Sequence, residues 1–172
     1  MAELAEHVVV KKYSQAQLDD VQGKFDLVFP PDLVALLRLG GLASHDWNDE
    51  IKIRSMLAWP METLLFDVEN NGLWWTEWGP RPEQPESRRE VVARIIGQAP
   101  RLIPIYSHRF LPQTPSEAGN PVFSVYGSDT IYYGVNLHDY IQRETHGFKS
   151  FPWPNSIRPI PFWSDLVACN SH

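Results

Sequence analysis

The stretch PVFSVYGSDTIYY, residues 121–133, decides the fold of this chain. Its two ends are rich in β-branched and aromatic residues, which fit the pleated and half-buried surface of a sheet. The segment 127–129 separates the two runs, and short segments that contain glycine and aspartate form the turns of β-hairpins. The stretch therefore predicts an antiparallel hairpin.

Further elements flank the hairpin on both sides. Asn136 is a typical N-cap residue, and Leu137 and Ile141 recur at the spacing of one helix face. Residues 102–106 form an apolar run that suits a buried strand, and residues 161–168 suit a last helix. The second half of the chain is thus predicted to be a sheet followed by helices.

The first 41 residues predict a pair of short helices. Ser14 suits the N-cap of a helix over 15–23. Pro31 suits the first turn of a second helix, and Gly40 ends it, because glycine takes the left-handed cap without strain. Helices and an antiparallel hairpin that are segregated along the chain define an α+β domain.

The middle of the chain alternates between breaks and periodic runs. Trp59-Pro60 predicts a break, followed by a helix over 61–69. Residues 73–78, LWWTEW, predict a strand, because aromatic residues and threonine favour sheets. Residues 83–98 predict the longest amphipathic helix.

Composition and charge limit the class of protein. The chain has 172 residues, which suits one domain, and 43% of them are hydrophobic, as in globular proteins. The net charge is −6, and residues 1–77 carry 13 acidic and 6 basic side chains. This balance disfavours nucleic acid as a ligand and suits a basic protein partner, although it also suits solubility alone.

The single cysteine, Cys169, excludes an internal disulfide and a zinc site built from cysteines, which favours a cytoplasmic location. Because Cys169 lies in an apolar stretch near the end of the chain, we expect it to be a buried packing residue. The sequence shows neither a secretory signal nor an apolar run long enough to span a membrane, so no membrane association is predicted.

Short motifs of common catalytic and metal sites do not occur in the sequence. Gly-x-Ser-x-Gly, His-Glu-x-x-His, the EF-hand loop and the phosphate-binding Gly-Lys-Ser/Thr are all missing. His138 and His146 are eight residues apart, which is poor for one helical face, and a metal at His45 would need further converging ligands. His108 at a strand end is predicted to be structural or exposed. We predict no catalytic residue, no metal and no cofactor.

Aromatic residues in the predicted strand 73–78 are candidates for a binding surface. Trp74 and Trp75 would point to opposite faces, so one of them lies outside unless helices cover both faces. An outer Trp75, with Glu77 on the same face, would be an aromatic anchor for a protein partner. Tyr132 and Tyr133 would likewise point to opposite faces of their strand, so one of them lies outside unless helices cover both faces.

The loop around Trp47 is the second candidate. Asp46, Asp49 and Glu50 surround this ring, and a solvated turn explains the pattern as well as a binding loop does. In the binding interpretation, the carboxylates hold arginine or lysine of a basic partner and Trp47 is the anchor. The predicted partner-binding set is Asp46, Trp47, Asp49, Glu50, Trp75 and Glu77.

Several stretches occur in an order that is typical of one family. They are FPPD (29–32) leading to Gly40-Gly41, IPIYSHRF (103–110), GNPVFSVY (119–126), and the segments 129–133 and 136–141. Together they resemble the SUKH superfamily, which includes the Smi/Knr regulators of fungal cell-wall synthesis. The resemblance covers about residues 25–141.

This resemblance implies a curved, mostly antiparallel sheet with helices packed against it. We predict a single domain over 1–172, in which the Trp- and Pro-rich tail 148–172 packs on the matched region. The resemblance also implies a binding role without a catalytic centre. Bacterial members look like immunity proteins that neutralise polymorphic toxins, often nucleases. We therefore predict a cytoplasmic immunity protein that occludes the active site of a basic toxin domain.

Two alternatives remain open at this point. One is a regulatory scaffold of the Smi/Knr type in cell-wall synthesis or signalling. The other is a small hydrolase in which histidines such as His45, His108 and His138 converge in a deep pocket.

Overall fold

The computed structural model describes residues 11–41, 45–149 and 151–170. Within these ranges the chain forms helices, one 3-10 helix and a four-stranded sheet. The helices are α1 (Gln15–Phe25), α2 (Pro31–Leu39), α3 (Glu50–Asn70), α4 (Pro85–Gln98), α5 (Leu137–His146) and α6 (Trp163–Cys169), with the 3-10 helix at Thr76–Trp78. The strands are β1 (Leu102–Tyr106), β2 (Arg109–Pro112), β3 (Val122–Tyr126) and β4 (Asp129–Gly134). The predicted α+β class and the N-terminal helix pair are confirmed.

The sheet is antiparallel, is not closed, and keeps the strands in chain order β1-β2-β3-β4. β3 and β4 form the predicted hairpin, in which Tyr126 pairs with Asp129. Gly127 opens the two-residue turn with a φ of +62°, which a type II′ turn requires at its first central position. The stretch 103–110 is not one strand, because the chain turns at Ser107-His108 between β1 and β2.

Both faces of the sheet are covered, because alternate side chains enter two different cores. The N-terminal core joins one face to α1 and α2, and the second core joins the other face to α3, α4 and α6. Tyr132 packs against the second core and Tyr133 against the N-terminal core. The sheet residues divide accordingly into Ile103, Ile105, Leu111 and Val122 on the N-terminal side, and Leu102, Phe110, Phe123 and Val125 on the other.

Local signals fix the ends of the first two helices as predicted. The Gln17 N–H donates to the Ser14 hydroxyl at 3.2 Å, and the Ser14 N–H donates to the Gln17 side chain at 2.8 Å. This reciprocal pair is a capping box. α2 begins at Pro31 and is closed by Gly40, whose φ of +82° places it in the left-handed region.

α3 runs without interruption past Pro60, so the break predicted at Trp59-Pro60 is wrong. Proline cannot donate the helical hydrogen bond to the carbonyl four residues earlier. The helix continues because tertiary packing fixes both of its halves: Ile53 is buried in the N-terminal core and Leu64 in the second core. The Trp59 indole also donates to the Val125 carbonyl of β3 at 2.8 Å.

Residues 73–78 form an extended segment and a 3-10 turn, so the predicted strand is wrong. The Trp78 N–H donates to the Trp75 carbonyl at 3.0 Å, and the Trp74 indole donates to the Gly79 carbonyl at 2.8 Å. Gly79 has a φ of +85°, which side chains disfavour. These short-range bonds curl the segment, and three tryptophan rings meet as a result.

The hairpin turn is tied to α3 by Asp67. Its Oδ2 accepts hydrogen bonds from the Ser128 N–H at 2.6 Å and from the Ser128 hydroxyl at 2.7 Å. Burial raises the pKa of Asp67, but the hydrogen bonds from Ser128 and Asn71 outweigh burial and hold that pKa below its usual range. The approach is so close that a Cβ on Gly127 would lie 2.2 Å from Oδ2. The turn therefore places Tyr126 beside α3.

Replacing Asp67 by alanine should lower the free energy of unfolding by about 1–3 kcal/mol, because Ser128 loses its acceptor in a largely buried position. The depressed folded-state pKa means that the stabilisation is present above the ordinary pKa and is lost as pH falls through the folded value. Urea unfolding at several pH values measures both effects. Asp129→Ala removes an exposed carboxylate of the same hairpin and should cost less than about 0.5 kcal/mol. Equal costs for the two variants would show that Asp67 is no anchor.

The C-terminal segment packs on the second core. Ile160, Trp163 and Leu166 are buried there, and the Trp163 indole donates to the Pro100 carbonyl at 2.7 Å. Cys169 is exposed, so its expected burial is wrong. α6 ends at this residue, where the helix has passed the part of the core that covers Leu166.

Candidate functional site

The ring of Trp47 belongs to the N-terminal core. It is only 2% exposed, and its centroid lies 5.0 Å from that of Phe29 and 4.9 Å from that of His45. The Trp47 N–H donates to the Tyr13 hydroxyl at 3.2 Å. The prediction that Trp47 is an exposed anchor is therefore wrong, because the ring closes the end of a core and presents no surface to a partner.

Asp46, beside Trp47, has partners within the chain. It accepts a hydrogen bond from Lys11 Nζ at 2.8 Å and from the Asn48 N–H at 3.0 Å. The Lys11 bond, helped by Asn48, holds the pKa of Asp46 below its usual range. This carboxylate ties the start of the described chain to the loop.

Asp49 and Glu50 belong to the first turn of α3. Asp49 is the N-cap and accepts from the Lys52 N–H at 3.1 Å, whereas Glu50 pairs with Arg54 at 2.8 Å. These contacts are local and solvent-exposed, and the structure places neither residue beside Trp75 or Glu77. A partner-binding role for the three acids of this loop stays a prediction.

Trp75 and Glu77, by contrast, line one cleft of about 570 Å³. We call it the tryptophan cleft and define it by Trp74, Trp75, Glu77, Trp78, Phe162 and Asp165. The centroid of Trp75 lies 5.3 Å from that of Trp78 and 5.7 Å from that of Phe162. Trp78 is buried, whereas Trp74 and Trp75 are half-buried and Glu77 is exposed.

Phe162 reaches this cleft through a strained backbone. Its φ of 69° and ψ of −52° are those of a γ-turn of the rare, left-handed kind, and the Trp163 N–H donates to the Pro161 carbonyl across it at 2.9 Å. The Phe162 N–H donates to Asp165 Oδ2 at 3.1 Å. Strain of this kind in a bulky residue persists only where the surrounding structure imposes it.

A second surface, which we call the Tyr126 face, consists of Trp59, Glu62, Phe66, Tyr126 and Asp129. These residues surround a cleft of about 540 Å³ between α3 and the β3–β4 turn. Phe66 and Tyr126 are each 59% exposed, which is unusual for large aromatic side chains. The Trp59 ring meets Tyr126 edge to face at 5.3 Å between centroids.

The Tyr126 face is acidic. Within the described residues, neither Glu62 nor Asp129 forms an ion pair. The His108 ring packs against Tyr126 at 6.4 Å between centroids, and burial, together with Arg109, lowers the pKa of His108. His108 is therefore neutral at pH 7 and does not offset the two carboxylates.

Phe66 and Tyr126 are not among the partner-binding residues predicted from the sequence. A signal for Phe66 exists, because Leu64, Leu65 and Val68 lie on one face of the helix and Phe66 lies on the opposite face. For Tyr126 the signal is weak, since both faces of the sheet are covered and strand alternation alone does not mark an exposed side chain.

The histidines named for a hydrolase have separate surroundings. His45 lies in the N-terminal core, His108 lies in the β1–β2 turn against Tyr126, and His138 is exposed on α5. Over the described ranges, no group of three His, Cys, Asp or Glu side chains could hold a metal ion. Over the same ranges, no helix has the length and apolar character needed to cross a membrane.

No family model matches this chain, and neither a curated protein nor a solved structure matches it significantly.

Proposed function

We propose that this chain is a protein-binding module that holds a basic partner protein against its Tyr126 face. The observation that carries the proposal is the exposure of Phe66 and Tyr126, which come from different elements and flank one cleft. Large aromatic side chains of this kind dominate the binding energy of protein interfaces.

Trp59 and Tyr126 are positioned before any partner arrives. The Trp59 indole is fixed by its hydrogen bond to Val125, and Tyr126 packs on this ring. Asp67 holds the neighbouring turn against α3 through Ser128. A face that is already ordered loses little conformational entropy on binding, which favours affinity.

The charge of the face selects the partner. Glu62 and Asp129 border the exposed rings and lie in a chain whose net charge is −6. Carboxylates at the rim of an interface accelerate association with a positively charged surface and disfavour acidic partners. The proposed partner therefore presents arginine or lysine around an apolar depression.

The resemblance to SUKH proteins supports immunity as the biological role, with this chain acting in the cytoplasm on a nuclease-type toxin domain. A nuclease carries a basic groove because it must bind phosphates. The Tyr126 face would occlude this groove, with Glu62 and Asp129 where the phosphates otherwise lie. A regulatory scaffold of the Smi/Knr type would use the same face on a cellular enzyme, and the identity of the partner separates these roles.

The test is quantitative affinity capture from the source cell with two baits, the wild-type chain and the Phe66→Ala/Tyr126→Ala variant. We expect the recovery of the basic partner to fall about tenfold or more in the variant, because two anchors are lost. Both substitutions are at exposed positions, so unfolding curves should show that the variant remains folded.

The matched control is Leu39→Ala/Ile51→Ala, which removes two apolar side chains that are 76% and 85% exposed, at the end of α2 and in the first turn of α3. This variant should capture the partner as the wild type does. Glu62→Gln/Asp129→Asn should slow association and weaken its salt dependence. Equal recovery by the wild type and the Phe66/Tyr126 variant would exclude the Tyr126 face as the docking surface.

A further inference from the structure

The tryptophan cleft carries features that docking on the Tyr126 face does not use. We propose that it binds an organic cation whose charged group is an alkylated ammonium, such as a trimethylammonium head. The volume of about 570 Å³ lies within the range of small-molecule sites, which is about 300–1,000 Å³.

Aromatic faces and carboxylates together select a cation. Trp75, Trp78 and Phe162 lie 5.3–5.7 Å apart between neighbouring centroids, so one cationic group can contact more than one ring. Tryptophan is the side chain whose face attracts cations most strongly. Glu77 and Asp165 line the same cleft and add negative charge at its border.

The hydrogen-bonding character of the walls favours a cation without N–H groups. The indole N–H groups are donors, and that of Trp74 is already bonded to the Gly79 carbonyl. A primary ammonium or guanidinium would find acceptors only at the two carboxylates of the border, and its remaining N–H groups would lose their water against the rings. An alkylated ammonium has no donor to satisfy, and the carboxylates act on it through charge alone.

The walls of the cleft are preorganised. The buried ring of Trp78 forms the bottom of the cleft. Its centroid lies 5.3 Å from that of Trp74, and the two rings meet edge to face. The strained γ-turn holds the Phe162 ring 5.7 Å from Trp75. Strain that serves to position a side chain is typical of ligand sites.

Arg81 explains why the cation is placed at Trp75 and not at Trp74. Its guanidinium lies 5.9 Å from the Trp74 centroid and donates to the Val68 carbonyl at 2.6 Å. One face of Trp74 thus already has a cation, whereas Arg81 does not line the cleft itself. The Trp75 ring has no such cation among the described residues.

The test is an NMR titration of the ¹⁵N-labelled chain with choline and with 3,3-dimethylbutan-1-ol, its neutral isostere. We expect choline to cause saturable shifts of the indole signals of Trp74, Trp75 and Trp78, and to leave buried Trp47 unchanged. The neutral isostere should bind at least about tenfold more weakly, because it lacks the charge. Equal affinities, or no saturable shift with choline, would overturn the proposal.

Two variants locate the site. Trp75→Ala should weaken choline binding about tenfold. Glu77 is exposed, so Glu77→Gln should leave the fold unaffected and weaken choline binding about threefold. Glu62→Gln removes the same charge from the Tyr126 face and should change nothing. A loss of affinity in Glu62→Gln equal to that in Glu77→Gln would indicate unspecific charge attraction and would contradict the proposal.

The same titration distinguishes a free metabolite from a modified protein side chain. A short peptide with trimethyllysine and its unmodified lysine form are the two further probes. Tighter binding of the trimethyllysine peptide than of choline would assign the cleft to a methylated protein, and the reverse order would assign it to a small molecule. Preference for the unmodified lysine peptide would overturn the alkylated-ammonium assignment. Since the Tyr126 face shares no residue with this cleft, either proposal can fail alone.

Discussion

Replacing Trp47 by alanine should lower the free energy of unfolding by about 3–5 kcal/mol, the cost typical of removing a large aromatic side chain from a core. The ring is 2% exposed and packs against Phe25, Phe29 and His45. Its removal leaves a cavity between α1, the α1–α2 connection and the start of α3, where the remaining aromatic side chains cannot collapse fully. Urea unfolding, followed by far-UV circular dichroism, measures the loss.

Trp75→Ala is the matched control for this prediction. The same residue type is removed, but Trp75 is half-buried at the border of the tryptophan cleft, so less contact area is lost. We expect a clearly smaller cost. Similar costs for the two variants would contradict the placement of Trp47 in the N-terminal core.

Binding separates the same two interpretations of Trp47. A folded Trp47→Phe variant should capture the partner as the wild type does, because the ring contributes no surface to the Tyr126 face. If Trp47 is a core residue, the variant loses stability and keeps its partner. If Trp47 is an anchor, the variant keeps its stability and loses its partner.

Short-range chemistry explains why much of the fold could be predicted. The hairpin follows from two β-rich runs around Gly127, and the caps at Ser14 and Gly40 act within one helical turn. Such signals need no knowledge of distant residues. The predicted elements that proved wrong depend instead on tertiary contacts.

Pro60 and the tryptophans of 73–78 show this dependence. Proline in a helix interior destabilises it, yet α3 continues because Ile53 and Leu64 are buried in two different cores. The segment 73–78 has the composition of a strand but finds no partner strand, and its backbone is satisfied by a 3-10 turn. Neither outcome follows from local composition alone, because the presence of a second core or of a partner strand is decided by the rest of the fold.

The candidate sites were predictable only where their residues are neighbours in sequence. Trp75 and Glu77 were placed on one surface, and the structure brings them into one cleft, although through a turn and not through a strand. Phe162 completes that cleft from 87 residues away, which no local pattern indicates. The polar neighbours of Trp47 indicated an exposed side chain, whereas the structure buries this ring in the N-terminal core.

Acid should destabilise this protein by about 3 kcal/mol between pH 6.5 and 4 through His45 alone. Burial, followed by the positive charge of Lys52, lowers the pKa of this imidazole from 6.5 to about 4. Between these pH values the unfolded chain binds a proton at His45 and the folded chain does not. Stability is therefore complete above pH 6.5 and falls by about 1.4 kcal/mol for each pH unit below it.

The measurement compares urea unfolding of the wild type and His45→Gln at pH 7 and pH 5. Glutamine binds no proton, so the stability of the wild type relative to the variant should fall by about 2 kcal/mol over this interval. Carboxylates such as Asp46 titrate in both proteins, and their contribution cancels in the comparison. His138→Gln, at an exposed position on α5, is the control and should follow the wild type. Parallel pH profiles for the wild type and His45→Gln would contradict the burial of a neutral His45.

The location of His45 also predicts which part of the protein is sensitive to acid. Its ring centroid lies 4.9 Å from that of Trp47, so a proton there places a charge inside the core that joins α1 and α2 to the sheet. The Tyr126 face packs on the other core, through α3 and the β3–β4 turn. At pH 5 the hydrogen-exchange protection factors should therefore fall first in α1 and α2, whereas the amide of Ser128, held by Asp67, stays protected.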